Sequence, residues 1–364
     1  MKALTIGGAM IDTIVSIAPD RDERKRHSDS DSAFLRLELG KKREALDISV
    51  HCGGGAINAA VCMARLGLET SLIVKLGRDF RADIIRELLV TERISTAYVI
   101  CNSQLPTGAS VLISGRDSNT AVITFRGANT TLTSHDLPMA AFAVDLVYVS
   151  GLSDQSADCL GQIVGQAKAA GALVAANPGI RQLTTRHDAF CAALANIDIL
   201  AVNKSEAAVL LPWLSTSPAF THDKVASVDA DAAGFAHAHI AGEAGGMTMS
   251  RFCRLLNARG PRWIVVTDGK DGAYIGTAAG LMYCPAAEAV VVGTAGAGDA
   301  FNATFAAALV TGATTDDAAI AASLNSASVV AHLDTQSGLL THAALTACIA
   351  ERGRSLHLRH WPYR

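Results

Sequence analysis

Four apolar segments constrain this chain more than anything else in it. Leu146–Val149, Leu173–Ala176, Ile197–Val202 and Trp263–Thr267 read as strands, with helical stretches between the earlier ones. They lack the alternation of apolar and polar residues seen where one face of a sheet meets water. Strands of that kind are covered on both faces, which predicts a parallel sheet with helices packed above and below it.

The first 140 residues have a different rhythm. Ala3–Ile6 is a short strand that stops at Gly7-Gly8, and Thr13–Ile17 is a second. Alternating charges from Asp20 to His27 and a Ser/Asp run to Ser32 read as a solvated loop, and Phe34–Leu39 alternates with period two as a strand. Asn58–Leu66 is helical with Gly67 as its C-cap, Thr70–Leu76 is a strand and Asp83–Val90 a helix. Ser110–Ser114 and Ala121–Phe125 flank the polar turn Arg116-Asp117-Ser118-Asn119 and predict a hairpin. Residues 12–50 and 97–128 are therefore expected to form a small β-rich lid over a single α/β domain spanning residues 1–364. Residues 215–248, rich in Ala, Asp, His and Gly, read as an insertion with partial helix.

Composition narrows the function classes. The 364 residues allow an ample core, and with 50% hydrophobic but only 5% aromatic residues that core rests on Ala, Val, Leu and Ile. A net charge of −3 leaves no footprint for nucleic acid or for an anionic membrane surface. No uncharged apolar run is long enough to span a bilayer. The eight cysteines are scattered singly without a Cys-x-x-Cys pair, and Met1-Lys2-Ala3-Leu4 leads straight into a strand. Reduced thiols in a cytoplasmic protein are the expectation.

The chemistry concentrates in Val291-Val292-Gly293-Thr294-Ala295-Gly296-Ala297-Gly298-Asp299-Ala300-Phe301-Asn302. It reads as a strand end, a glycine turn and the start of an Ala-rich helix. Bare N–H groups at a helix N-terminus bind anions, and glycines let the backbone approach an oxygen closely. A carboxylate beside such a site binds anions poorly but accepts a proton, which suggests phosphoryl transfer to a hydroxyl with Asp299 as base. The plain alternative is a capping Asp on a structural turn. A dinucleotide-binding turn is disfavoured by Phe301 where a third small residue belongs, and no Lys follows as a Walker loop requires. A second segment, Cys52-Gly53-Gly54-Gly55-Ala56-Ile57-Asn58, places three glycines before a helix, and Asn58 offers both a donor and an acceptor to a polyol.

Together the two segments, about 240 residues apart, resemble the two signatures of the PfkB (ribokinase-like) carbohydrate and nucleoside kinases. Gly7-Gly8-Ala9-Met10-Ile11-Asp12, Gly77-Arg78-Asp79, Gly127-Ala128-Asn129, Asn177-Pro178-Gly179, Asn203-Lys204-Ser205-Glu206 and Thr267-Asp268-Gly269-Lys270-Asp271-Gly272-Ala273 extend the resemblance over most of the chain. It implies a three-layer α/β/α ribokinase-like fold and an ATP- and Mg²⁺-dependent kinase acting on a sugar or sugar acid. By that resemblance Asp299 would be the general base, and Gly296, Ala297 and Gly298 would form the anion hole with it. Asp12, Gly54, Gly55 and Asn58 would hold the substrate hydroxyls. Asn203 and Glu206 would organise triphosphate and metal, Glu206 through water, while Thr267, Gly269 and Asn325 would line the nucleotide pocket.

Departures from the pattern matter as well. Gly293 stands where the family usually has an Asp that helps shape a monovalent-cation site, and Ala295 replaces a common Thr, which puts potassium activation in doubt. Gly55 in place of the Lys of ribokinase, and Met10 beside Asp12, argue against ribose. A nucleoside kinase shares these motifs, and a catalytically silent sugar-binding protein is the rival from another class. A homodimer through the lids is implied by the resemblance alone. Three features carry less: His237-Ala238-His239 as solvated surface, Cys52 as a buried thiol, and the 357–363 tail, which either docks or frays.

Overall fold

The computed structural model describes residues 1–17, 39–114, 120–216, 239–242 and 245–363. The expected strand at Phe34–Leu39, the turn at 116–119 and the His237/His239 pair lie wholly or partly outside those residues.

Among the described residues the large sheet has ten strands. Its parallel part runs β1 (Lys2–Ile6), β4 (Glu69–Leu76), β5 (Val99–Cys101), β8 (Leu146–Ser150), β9 (Leu173–Asn177), β10 (Ile199–Asn203) and β13 (Trp263–Thr267). Three antiparallel strands extend one edge: β14 (Ala273–Thr277), β15 (Gly280–Cys284) and β16 (Arg359–Pro362). In space the order is β16-β15-β14-β13-β10-β9-β8-β1-β4-β5. The C-terminal tail thus docks rather than frays, and it covers the exposed hydrogen-bonding edge of β15.

Period two divides each parallel strand between two cores. Leu4 and Ile6 of β1, with Val147 and Val149 of β8, face one side, where α3 (Leu160–Ala169), α5 (His187–Ala193), α6 (Lys204–Thr216) and α7 (Met249–Asn257) pack. Ala3, Leu146 and Tyr148 face the other, covered by α1 (Gly55–Arg65), α2 (Phe80–Thr91), α8 (Ala297–Val310) and α9 (Thr315–Val329). The described helices also include the short α4 (Ile180–Thr185) and, near the C-terminus, α10 (His342–Arg352). α8 buries Ala300, Phe301, Ala303, Thr304, Phe305, Ala306 and Ala307, which is the composition of a helix packed on most sides.

A separate four-stranded sheet has the order β3-β2-β6-β7, built from β2 (Met10–Ile17), β3 (Ala45–Gly53), β6 (Gly108–Ser114) and β7 (Thr120–Phe125). One face carries Asp12, Ile14, Ser110 and Leu112, all buried. The opposite face carries Ile48, Val50, Val111 and Ile123, which are 61%, 54%, 37% and 65% exposed. Within the 215–248 region the described part after α6 is a hairpin of β11 (His239–Gly242) and β12 (Gly245–Thr248), and the expected partial helix falls mostly on residues outside those described. The valine run departs from expectation. Val290, Val291 and Val292 are exposed loop, not a strand end, because the sheet edge is already taken by β14–β16 and their contact is a bond from Val292 N to Val330 O.

Candidate active site

The C-terminal ends of β1, β8, β10 and β13 open onto one crevice, the position where ligands bind in open α/β sheets. α8 points its N-terminus into it. Gly296 is the N-cap at φ +77° and turns the loop into the helix, so the N–H groups of Ala297, Gly298 and Asp299 begin it unpaired. Gly298 in this first turn is exposed, and a Cβ there would meet nothing within 4 Å.

Asp299 is partly exposed, and Asn58 Nδ2 donates to its Oδ2 at 2.8 Å. Burial raises the Asp299 carboxyl above the ordinary carboxylate range, and the Asn58 amide draws it part of the way back. Asn58 itself is buried, and its Oδ1 accepts from Thr335 Oγ1 at 2.9 Å and from Gln336 Nε2 at 3.1 Å. Its amide therefore faces the carboxylate instead of open space. Thr335 and Gln336 fix which way it points, a role the sequence reading missed because the loop after α9 carries no motif.

Asp12 sits across the crevice. Ser110 Oγ donates to its Oδ1, and burial raises its carboxyl, with Asp299 adding to the rise and Ser110 and His51 opposing it. Gly54 caps α1 at φ +96° and lies against the Gly8 carbonyl; Ala56 N donates to that carbonyl at 3.1 Å. Gly55 brings the chain close to Ser150 at the end of β8, and a Cβ there would stand 2.8 Å from Ser150 Cβ and 3.6 Å from Asp299 Oδ1. Asp12, Gly54, Gly55, Asn58 and Asp299 are thus brought together. Asn129 pins the β1–β2 link above them, accepting from Ala9 N at 2.9 Å and donating to Ala9 O at 2.8 Å.

The second half of the crevice lies at β10 and β13. Asn203 and Glu206 form a reciprocal capping box on α6: Asn203 N donates to Glu206 Oε2 at 2.9 Å and Glu206 N to Asn203 Oδ1 at 2.8 Å. Burial raises the Glu206 carboxyl, the Asn203 amide lowers it, and Asp299 raises it further, which places both carboxylates in one electrostatic field. Thr267 pairs with Asn203 in register, and Lys204 Nζ bonds Asp268 Oδ2 at 2.7 Å, tying the Gly269 turn to α6. Asn325 is elsewhere. It is fully buried, donating to Thr304 Oγ1 at 2.8 Å and accepting from Leu340 N at 2.9 Å, so it does not line the nucleotide pocket as expected but holds α9 against α8 and the chain before α10. At Gly293 a Cβ would lie 2.8 Å from the His332 carbonyl oxygen, so this backbone has no room for the Asp of the family pattern. Burial pushes the Cys52 thiol up to about 11, out of the reactive range.

An open helix N-terminus, an adjacent carboxylate and a second carboxylate across the crevice suit phosphoryl transfer to a hydroxyl. The chain matches the pfkB family carbohydrate kinase profile over residues 31–342. It belongs to the pfkB family of carbohydrate kinases. As a member of that family it is a phosphotransferase. It is similar to a deoxyribokinase of Salmonella typhi, 27% identical over 270 residues that cover 73% of this chain and 77% of that protein. A ribokinase of Staphylococcus aureus is 24% identical over 254 residues, 70% of this chain and 73% of that one. The fold agrees with the structure of Arabidopsis thaliana ribokinase complexed with ribose and ATP at a TM-score of 0.69 and 20% identity, covering 95% and 97% of the two chains. Among the described residues of this pfkB kinase no helix is long and apolar enough to cross a membrane, and no three His, Cys, Asp or Glu side chains cluster as a metal site.

Proposed function

We propose that the chain transfers the γ-phosphate of ATP to a hydroxyl of a sugar or sugar acid, with Asp299 as general base. The observation that carries this is the Asp299 carboxylate at the open N-terminus of α8, aimed by Asn58. Asp299 takes the acceptor proton as the hydroxyl oxygen forms its bond to phosphorus, and the bond from phosphorus to the bridging oxygen breaks to release ADP. The N–H groups of Ala297, Gly298 and Asp299 face the transferring group, where preorganised donors lower the barrier most. Asp12 and the Gly54–Gly55 backbone hold the acceptor hydroxyls, and Asn58 acts as a positioning residue for the base.

Magnesium, when bound, neutralises charge on the phosphates as it builds up. Glu206 fits it through water: backbone bonds from Asn203 and Ile180 take two of the four or so lone pairs a carboxylate offers, and the other two can accept from metal-bound waters. Thr267 and Gly269 flank the nucleotide. The small sheet acts as the lid, carrying Asp12 down onto the acceptor and excluding the water that would hydrolyse ATP. A panel of pentoses, hexoses, sugar acids and nucleosides, assayed by ADP release, tests the reading. No acceptor-dependent ADP release from any of them would sink it.

The same lid supports a dimer of two copies. Its outer face is apolar and exposed at Ile48, Val50, Val111 and Ile123, more contiguous apolar surface than scattered residues give. The protein is expected to sediment as a dimer, and the double variant Ile48→Asp/Ile123→Asp as a monomer. A wild-type monomer at micromolar concentration would remove this part of the proposal.

A further inference from the structure

Arg65 ends α1 on the stripe that carries Asn58, two helical turns earlier. Its guanidinium is divided between two elements. Nε donates to Glu92 Oε2 at 3.1 Å and Nη2 to Glu92 Oε1 at 2.6 Å, where Glu92 is the C-cap of α2. Nη1 turns the other way and donates to the main-chain carbonyls of Gln336 at 2.7 Å and Leu339 at 3.0 Å. Both side chains are largely buried, 23% and 16% exposed. An ion pair so placed is weak evidence for stability, because desolvating two charges offsets much of their attraction. What the pair fixes is the position of the loop after α9.

That loop is the one that faces Asn58. Asp334 Oδ1 accepts from Gln336 N and Ser337 N, both at 2.8 Å, and Leu339 N donates to Gln336 O at 3.0 Å. Gly338 lies against the Ser328 carbonyl and Leu340 N donates to Asn325, so the loop is shaped from within and anchored on α9. Arg65 and Asn58 attach it to α1, the latter through the Thr335 hydroxyl and the Gln336 amide that donate to its Oδ1. An unbroken run of contacts therefore leads from Glu92 through Arg65, Gln336 and Asn58 to Asp299. The last link has a polarity. With two donors on Oδ1, Asn58 turns its N–H towards Asp299. With those donors drawn away the amide can rotate and set its oxygen against the carboxylate, which disfavours the charged form.

We propose that Arg65 is a positioning residue for phosphoryl transfer, holding the 334–339 loop against α1 so that Asn58 keeps its N–H on Asp299. This rests on the reading of Asp299 as base, but the positioning can be followed without turnover. The readout is the pH titration of the Asp299 carboxyl carbon by NMR, its signal assigned with Asp299→Asn. Burial and the Asn58 amide govern that titration. Asp12 on β2, Glu206 on α6, Tyr148 on β8 and Cys62 on α1 share the field of this carboxylate, and every other variant leaves them in place. Arg65→Met alone would strand the Glu92 charge, so Arg65→Met/Glu92→Gln removes one charge of each sign. Gln336→Leu takes a donor from Asn58 and leaves Arg65 intact. Arg65→Lys keeps the charge beside Glu92 and the fold, but a single nitrogen cannot span Glu92 and both carbonyls.

Arg65→Met/Glu92→Gln and Gln336→Leu are expected to titrate Asp299 at higher pH than the wild type, with Arg65→Lys in between. In ADP-release assays the first two should lower kcat about tenfold or more, as a misaimed base does. The acid limb of their kcat/KM should rise in step with the titration, which a smaller folded fraction would not produce. A wild-type titration in Arg65→Lys and in the double variant would overturn the positioning role, whatever happens to turnover. Shifted titrations with kcat and its pH profile unchanged would keep the positioning and overturn Asp299 as base.

Discussion

Asp299→Asn is expected to lower kcat by about 10²–10⁴-fold and, at neutral pH, to raise the melting temperature. The two effects have one origin. The carboxyl is half-buried at the head of α8, so its charge is costly there and its proton affinity is raised. A raised value suits a base, because it holds the acceptor proton more tightly than an ordinary carboxylate would. Linkage fixes the sign of the stability term. Between the unfolded value near 4 and the higher folded value the folded state binds more protons, so stability falls as pH rises through that window. The Asn variant lacks this loss and gains over the wild type above the window, with the gain vanishing below it, and its own Oδ1 can still accept from Asn58. Steady-state ADP release and thermal melts from pH 3 to 8 read both. The acid limb of kcat/KM should also lie at higher pH than an ordinary carboxylate gives. Turnover within threefold of wild type, or an acid limb below pH 4, would remove Asp299 from the reaction.

Gly296→Ala should be almost as severe for turnover and, unlike the first variant, should also weaken the fold. The φ of +77° costs an L-residue about 1–2 kcal/mol. The new Cβ would also stand 2.7 Å from Thr335 Cβ and 2.9 Å from Thr335 Cα, closer than carbons pack. Thr335 is one of the two residues that orient Asn58, so relief by moving that loop disturbs the Asp299 carboxylate, while relief by moving residue 296 shifts the N–H groups of the anion hole. A displacement of about 1 Å at such a site is enough to cost about 10²-fold in rate. The expected result is a kcat at least that much lower with a melting temperature several degrees down. Normal kcat with a lowered melting temperature would mean that the turn is structural and the anion hole lies elsewhere.

The parallel strands were legible because their pattern leaves one option: apolar on both faces, each must be covered twice, and β8 is buried along its whole length. The two glycine turns were legible because backbone geometry restricts which residues serve there, and Asp299 because it opens the helix behind one of them; Asp12 came from the family resemblance alone. Asn58 was found, but not the bond that points it at Asp299. An amide announces a donor and an acceptor but not which neighbours claim them, and Thr335 and Gln336 arrive from a loop nearly 280 residues later. Asn325 was misplaced for a related reason, since a motif position conveys proximity to a site without saying which way the side chain points. The valine run before the site was read as a strand on propensity, but a strand also needs a free partner, which sequence does not display.

The place of β1 has a consequence for how the chain is made. Synthesised before both its neighbours, it sits inside the sheet between β4 and β8, with Ala3 opposite Thr70 on one side and Leu146 on the other. Its second neighbour leaves the ribosome only after some 140 further residues, and the Asn58–Asp299 contact closes a separation of 241. Contacts so distant slow folding and leave edges unpaired in the meantime. In refolding, phosphoryl transfer should therefore return later than helical signal, because the contact that aims Asp299, the proposed base, closes late.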